Sequence, residues 1–213
     1  MRSPDSPRDR VVRAAFALFD ERGFEATSVD EIAARAHVGR TTLFRQFGSK
    51  EALVFPDHDA LLKQAQERLS AASPGAMPSA VIDVATTVFE HYLAEGELAR
   101  SRYRLTSSVP ALRDFEIATV SRYARLCAQH MRRISTDNWN SQLRAELYAN
   151  AVVAAHNYVL RRWLRHETTR AREELADALA ATHVILHDHG SAHTAVVVLS
   201  TTCLLYTSDA ADE

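Results

Sequence analysis

Glycine is the residue that most limits what this chain can become. There are only six in 213 residues: Gly23, Gly39, Gly48, Gly75, Gly96 and Gly190. Each stands where a helical apolar periodicity stops or restarts. Prolines are equally few, at six. So few backbone breakers argue for long helices over turn-rich sheet. An apolar fraction of 46%, a charged fraction of 24% and a net charge of −2 fit a folded globular protein. The length suffices for one or two domains and a core that needs no staples. Two cysteines make no disulfide framework, which fits a reducing cytosol. No apolar run approaches the roughly 18 residues of a membrane span. MRSPDSPRDR at the N-terminus lacks the apolar stretch of a secretory signal, so the expected location is cytoplasmic.

The last eleven residues, CLLYTSDAADE from Cys203 to Glu213, resemble the in-frame translation of a transposon-end sequencing adapter. They are set aside as a non-native tail, with 191–202 before them an apolar segment of uncertain role.

Helical spacing places Val12, Phe16 and Phe19 on one face of a helix over 9–21, and Gly23 ends it. Ser28 and Glu31 have capping-box spacing before the apolar stripe Val29, Ile32, Ala33 and Ala36. His37-Val38-Gly39 reads as a turn, and 40–46 as a third short helix ending at Phe47-Gly48. Ser49 is then the N-cap of a fourth helix running to about Ala72, with Pro56 breaking or kinking it. SPGAMPS, 73–79, is a clear break. Beyond it the pattern predicts helices at 79–95, 97–107, 110–133, 141–166 and 170–187. The stretch 141–166 is apolar over a wide arc: Leu147, Ala151, Ala154 and Tyr158, with Val152, Ala155 and Val159 beside them. A helix so broadly apolar must be covered on two sides. The fold class is therefore all-α, divided into 1–55, a helical region 56–190, the segment 191–202 and the tail 203–213.

Helix, short helix, tight turn and short helix within some 40 residues is the plan of a helix-turn-helix unit. Its last helix must enter a major groove about 12 Å wide with small or hydrogen-bonding side chains forward, and an apolar face must anchor it behind. Arg40, Thr41, Thr42, Arg45 and Gln46 supply the first; Val38, Leu43 and Phe47 supply the second. Threonine touches a thymine methyl, and arginine grips guanine O6 and N7. Thr27, Ser28 and Lys50 stand beside helix N-termini, whose free N–H groups suit phosphate. Net charge does not advertise this partner, because residues 1–55 carry nine basic and eight acidic groups.

FDERGFEATSVDEIAARAHVGRTTLFRQFGSKEALV resembles the DNA-binding domain of the TetR/AcrR family of transcriptional regulators, over roughly residues 8–55. The resemblance implies an all-helical homodimer: a three-helix DNA-binding region joined by a fourth helix to a ligand-binding domain. By position, Arg40, Thr41, Thr42 and Arg45 match the family's recognition helix. Phe44 matches an aromatic position where the family often has a phosphate-bonding tyrosine. Lys50 matches its phosphate-contacting lysine. Phe44 lacks the hydroxyl, His37 stands where glycine is common in the turn, and Gly39 replaces a capping serine. The implied function is a repressor released from a palindromic double-stranded operator by a small-molecule effector. The implied dimer seam lies at 141–166 and 170–187.

Other features are weaker. Phe89, Tyr92, Tyr103, Phe115, Tyr123 and Tyr158 are candidate pocket-lining aromatics, although such residues usually form core. Arg100, Arg102, Arg104 and Arg113 read as a solvent-facing basic surface sooner than as an effector site. Asp57, His58 and Asp59 read as a solvated helix start. His183 and His187 have helical spacing, with His189 and His193 following, but no cysteine or arranged carboxylate joins them, so no metal is expected. Cys127 reads as a core residue. No nucleophile elbow, P-loop or dinucleotide fingerprint occurs, and neither catalytic residues nor a cofactor are expected. A helical enzyme and a helical interaction module remain the alternatives.

Overall fold

The computed structural model describes residues 6–55, 58–135 and 138–183. Expectations about Pro56, Asp57, His187, His189, His193, the segment 191–202 and the tail from Cys203 lie outside those residues. The described residues form nine α-helices and no strand: α1 Pro7–Arg22, α2 Val29–Arg35, α3 Arg40–Phe47, α4 His58–Ala71, α5 Met77–Glu95, α6 Glu97–Ser108, α7 Pro110–Arg133, α8 Trp139–Leu164 and α9 Ala171–Thr182. No described helix is long and apolar enough to cross a membrane.

The expected fourth helix from Ser49 is corrected. The Ser49 hydroxyl caps only a single 3-10 turn, Glu51–Leu53, accepting from the Ala52 N–H at 3.2 Å, and α4 begins at His58. A proline in the intervening sequence supplies no N–H to a continuous helix. The break at 73–79 also shrinks to one 3-10 turn, Pro74–Ala76.

The chain divides into two compact units. The first comprises 1–58 with 97–114; the second comprises 59–96 with 115–213. In the first, a cluster of wholly or nearly buried side chains runs through α1, α2 and α3: Val11, Ala15, Phe16, Phe19, Ile32 and Leu43, with Leu53, Val54 and Leu112. Phe19 packs on Phe16 and Phe24 at centroid distances of 5.9 and 5.1 Å. The expected basic surface near 100–113 is corrected at Arg102, which is 4% exposed and donates Nε–H to the Val54 carbonyl. A buried guanidinium must be paired, and here it ties α6 to the chain after α3. The solvated helix start is corrected as well: His58 is buried, its ring 6.4 Å from that of Phe55.

In the second unit α8 and α9 make the most extensive helix pairing, and α5 packs on α8. α8 turns Tyr148, Val152, His156 and Val159 inward, facing a core that includes Val81, Phe89, Leu175 and Leu179. The Tyr148 hydroxyl donates to the Pro78 carbonyl at 3.2 Å, and Arg172 holds Glu90 with two bonds of 2.7 and 2.8 Å. Cys127 is 2% exposed, and burial pushes its thiol up to about 12, so it is a packing residue and not a nucleophile.

Leu112 is fully buried in the core of the first unit. Leu112→Ala should lower stability by about 2–5 kcal/mol, as removal of a buried leucine does. A thermal melt checks this; a loss below about 1 kcal/mol would remove 97–114 from that core.

Candidate nucleic-acid interface

The region is built around α3, an eight-residue helix too short to persist alone. Leu43 is fully buried and Phe47 half-buried beneath it, with the Arg8 guanidinium of α1 lying 4.7 Å over the Phe47 ring. At 100° per residue this anchoring turns Thr41 and Arg45 to the middle of the opposite face, with Thr42 and Phe44 to either side. Arg40, Thr41, Phe44, Arg45 and Gln46 are exposed, and Thr42 is half-buried.

Both ends of α3 are set by backbone geometry. His37 holds φ +54°, a left-handed conformation that histidine tolerates better than most residues. Gly39 is the N-cap and has no side-chain bond; glycine there costs only a few tenths of a kcal/mol relative to serine. Gly48, at φ +79°, closes the helix.

The predicted residues do not all face outward. Thr27 is 2% exposed, and its hydroxyl lies 2.8 Å from the Gly23 carbonyl and 3.3 Å from that of Leu18. The residue joins the end of α1 to the start of α2. Ser28 closes the predicted capping box: its hydroxyl accepts from the Glu31 N–H at 3.2 Å, and its own N–H donates to the Glu31 carboxylate at 2.8 Å. The Ser28 N–H and hydroxyl, with Arg22 beyond them, hold the Glu31 carboxyl below its ordinary range. Lys50 sits over the Phe24 ring at 4.2 Å and donates to the Phe24 and Thr27 carbonyls at 2.9 and 3.2 Å. It therefore fastens the α1–α2 turn from below. No signal in the sequence distinguishes such a lysine from one facing phosphate.

Charge on this unit is largely self-neutralised. Arg35 and Glu21 pair bidentately at 2.6 and 2.7 Å, Arg22 meets Glu31 at 2.6 Å, and Arg40 meets Asp30 at 2.6 Å. The Arg40 guanidinium also lies 5.4 Å over the Phe44 ring, which is 38% exposed. Among the described residues Arg45 has no ion-pair partner. What remains outward is a slim helix whose central side chains are a threonine and an arginine. Those are the groups that read a thymine methyl and a guanine edge.

The other predicted site is more scattered. Phe89 is fully buried and Tyr92 8% exposed, both on α5. Tyr123 on α7 is half-buried, and burial raises its phenol well above the ordinary range. Phe115 and Tyr158 are 42% and 57% exposed, so they turn away from the core. Tyr103 lies on α6 and belongs to the first unit. His183 follows α9, its ring 6.3 Å from that of Tyr148. Among the described residues no cluster of three metal-ligating side chains is present.

Residues 11–56 match the family model described as bacterial regulatory proteins, tetR family. Residues 74–186, more than half the chain, match that of the MftR C-terminal domain. The chain belongs to the tetR family. It is a DNA-binding transcriptional regulator. A relative in Mycobacterium tuberculosis (strain ATCC 25618 / H37Rv), whose name MftR assigns it to regulation of mycofactocin biosynthesis, is 27% identical over 168 residues, or 77% of this chain and 83% of that one. Among solved structures, the SmeT–triclosan complex, SmeT being a repressor of Stenotrophomonas maltophilia, matches with a TM-score of 0.61 at 17% identity, over 83% of this chain and 89% of SmeT. NalD, a secondary repressor of an efflux pump in Pseudomonas aeruginosa, matches at 0.58 and 20%, over 83% and 95%. At those identities the two structures speak for the fold.

Two stability measurements check this geometry. Lys50→Met should cost about 1–3 kcal/mol in thermal unfolding, because it strips charged donors from two carbonyls; a loss under about 0.5 kcal/mol would return Lys50 to the solvent. Glu31→Gln should destabilise most at neutral pH. The Glu31 carboxylate stabilises the fold above the ordinary carboxylate range and ceases to do so as pH falls through its lowered value. The gap between variant and wild type should therefore close on acidification; a gap independent of pH would refute the cap's charge.

Proposed function

We propose that the chain is a cytoplasmic homodimeric repressor. Two copies of α3 read the half-sites of a palindromic operator, and a small molecule bound in the second unit releases the DNA. The observation that carries this reading is the outward face of α3. Leu43 is spent on the core, while Thr41 and Arg45 are left free at the centre of an exposed polar surface. Residues 1–55 are the DNA-binding domain on this reading, and 56–190 hold effector and partner. Arg40 reaches DNA by exchanging Asp30, an exposed partner that holds it weakly. Ser28 and Thr27 act by fixing the start of α2, and Lys50 by fixing the turn before it.

The dimer reading rests on α8. Its inward side is closed by Tyr148, Val152 and Val159, yet its other side carries Trp139 at 76%, Leu143 at 45% and Tyr158 at 57% exposure. Leu147 and Ala151 are half-buried on that same stripe, and Ala154 is exposed. Spacing of three and four residues along it matches a helix-packing face, and the alanines let a second helix approach closely. A twofold axis through such a seam suits a palindromic site whose half-sites lie one DNA turn, about 34–36 Å, apart.

Release needs only that the effector bind the two states of the protein with different affinity. SmeT, with the same fold, takes triclosan; our reading assigns this chain a small molecule too. Phe89, Tyr92 and Tyr123 remain the aromatics suited to line its site, whereas Tyr158 suits the seam.

Quantitative footprinting on the promoter of the chain's own gene tests the reading. Arg45→Ala and Thr41→Ala should each relax preference at one operator position, by about 1–3 kcal/mol there. Uniform weakening across all single-base variants would take α3 out of the groove. Phe44→Tyr adds a hydroxyl beside the backbone and should tighten binding to every sequence alike. For the seam, Ala154→Glu places a charge on the exposed stripe and should yield monomers by sedimentation. A dimer that survives it unchanged would move the interface off α8.

A further inference from the structure

Two histidines are buried in the second unit, and the fold treats them differently. His130 on α7 is 3% exposed; its Nδ1 lies 3.0 Å from the Leu126 carbonyl, and its Nε2 lies 3.4 Å from both Gln66 Nε2 and Ser70 Oγ. Both ring nitrogens are therefore engaged. His156, mid-way along α8, is 7% exposed. Its Nδ1 lies 3.0 Å from Asn157 Oδ1, an arrangement in which the ring N–H donates to the amide oxygen. Its Nε2 is buried and has no hydrogen-bond partner among the described residues.

With Nδ1 carrying the proton, Nε2 presents a bare lone pair. Burial pushes the imidazole's pKa down to about 4, so the ring is neutral at physiological pH and the lone pair is kept. A buried acceptor without a donor is a standing penalty, and native folds keep few of them. The surroundings are apolar. Phe89 of α5, fully buried, meets the imidazole edge-on with ring centroids 5.7 Å apart and planes at 82°. Val152 and Val159, one turn before and after on α8, are also buried. An anionic head would set acceptor against acceptor at Nε2, and a cation would lose its hydration without gaining a counter-charge. A neutral donor on a flat apolar body suits both the lone pair and the ring.

We propose that His156 Nε2 is the anchoring acceptor for the effector, a neutral aromatic molecule whose O–H or N–H donates to it while its ring lies against Phe89 between α5 and α8. This rests on the effector reading given above. It names the residue that selects the ligand, and it makes hydrogen-bond donation the selected property.

The test uses the full chain and two matched pairs of probes: phenol with anisole, and indole with N-methylindole. In each pair only the first molecule has a donor. Affinities are measured by titration calorimetry on the wild type and on His156→Phe, which keeps a flat ring but has no acceptor. The wild type should bind the donor of each pair about tenfold more tightly, the scale of one hydrogen bond made in a dry site. His156→Phe should bind both members of each pair alike. In wild-type protein labelled with 15N-histidine, the unprotonated nitrogen of His156, assigned through its contact with Phe89, should move upfield with phenol and indole only. That measurement stands even where the variant fails to fold. Equal binding within the pairs, an unshifted His156 nitrogen, or no binding by any probe at about 10 mM would each overturn the proposal. Operator release is followed separately by footprinting. Phenol seated on His156 without release would defeat the effector reading and leave the site. Release by a probe that leaves the His156 nitrogen unmoved would defeat the site and leave the effector reading.

Discussion

Leu43 is where the DNA-reading surface is decided. An isolated helix shorter than about 12–15 residues is marginal in water, and α3 has eight, with no side-chain cap at its start. Its helicity must come from tertiary contact. Full burial of one leucine contributes about 1.5–3 kcal/mol; Leu43 is fully buried, with Phe47 half-buried a turn later. That single apolar edge holds the helix by one side. It leaves the other to Thr41 and Arg45, which need make no contact with the rest of the protein. Thr27, Ser28 and Lys50 serve the same end indirectly. They immobilise α2 and the turn before it, and Ile32 and Ala33 of α2 share the core with Leu43.

Local pattern was readable wherever local physics decides. The capping box at Ser28 and Glu31, the glycine stops after α1 and α3, and the limits of α5 to α8 all follow from spacing and from side chains that compete for free backbone groups. The helix expected over 110–133 is observed as Pro110–Arg133. Long-range pairing was not readable. Residues 97–114 form an amphipathic helix and the start of another, and nothing in an apolar stripe names its partner; only the fold puts Leu112 in the core of the first unit. Arg102 misled for a related reason. A buried arginine requires an acceptor, and the Val54 carbonyl lies 48 residues away in sequence.

The same division holds at the sites. That α3 carries the reading face was legible, because its polar and apolar residues separate cleanly over two turns. Lys50 was placed by position alone, and sequence position does not reveal that the Phe24 and Thr27 carbonyls converge beneath it. Among the aromatics, identity gave no means of telling core from surface on helices apolar around most of their circumference. Phe89 fell inside, whereas Phe115 and Tyr158 fell outside. His156 drew no notice in the sequence, since one histidine within an apolar run reads as ordinary core. Its unpaired nitrogen exists only as a relation among placed neighbours.

Electrostatics explains how a chain of net charge −2 serves as a DNA-binding protein. Glu21, Glu31 and Asp30 each hold an arginine of the first unit, so long-range attraction to the phosphate backbone is subdued. Nonspecific affinity grows with the number of phosphates neutralised, and arginines already engaged by carboxylates contribute little to it. Specific binding is penalised less. On the proposed reading Arg45 enters without losing a partner, while Arg40 exchanges an exposed carboxylate for a groove edge only where the sequence offers an acceptor. Carboxylates beside the reading helix thus widen the gap between right and wrong DNA by weakening the wrong. The cost is absolute affinity, and a second copy of α3 on the same operator restores it through the high effective concentration that dimerisation provides.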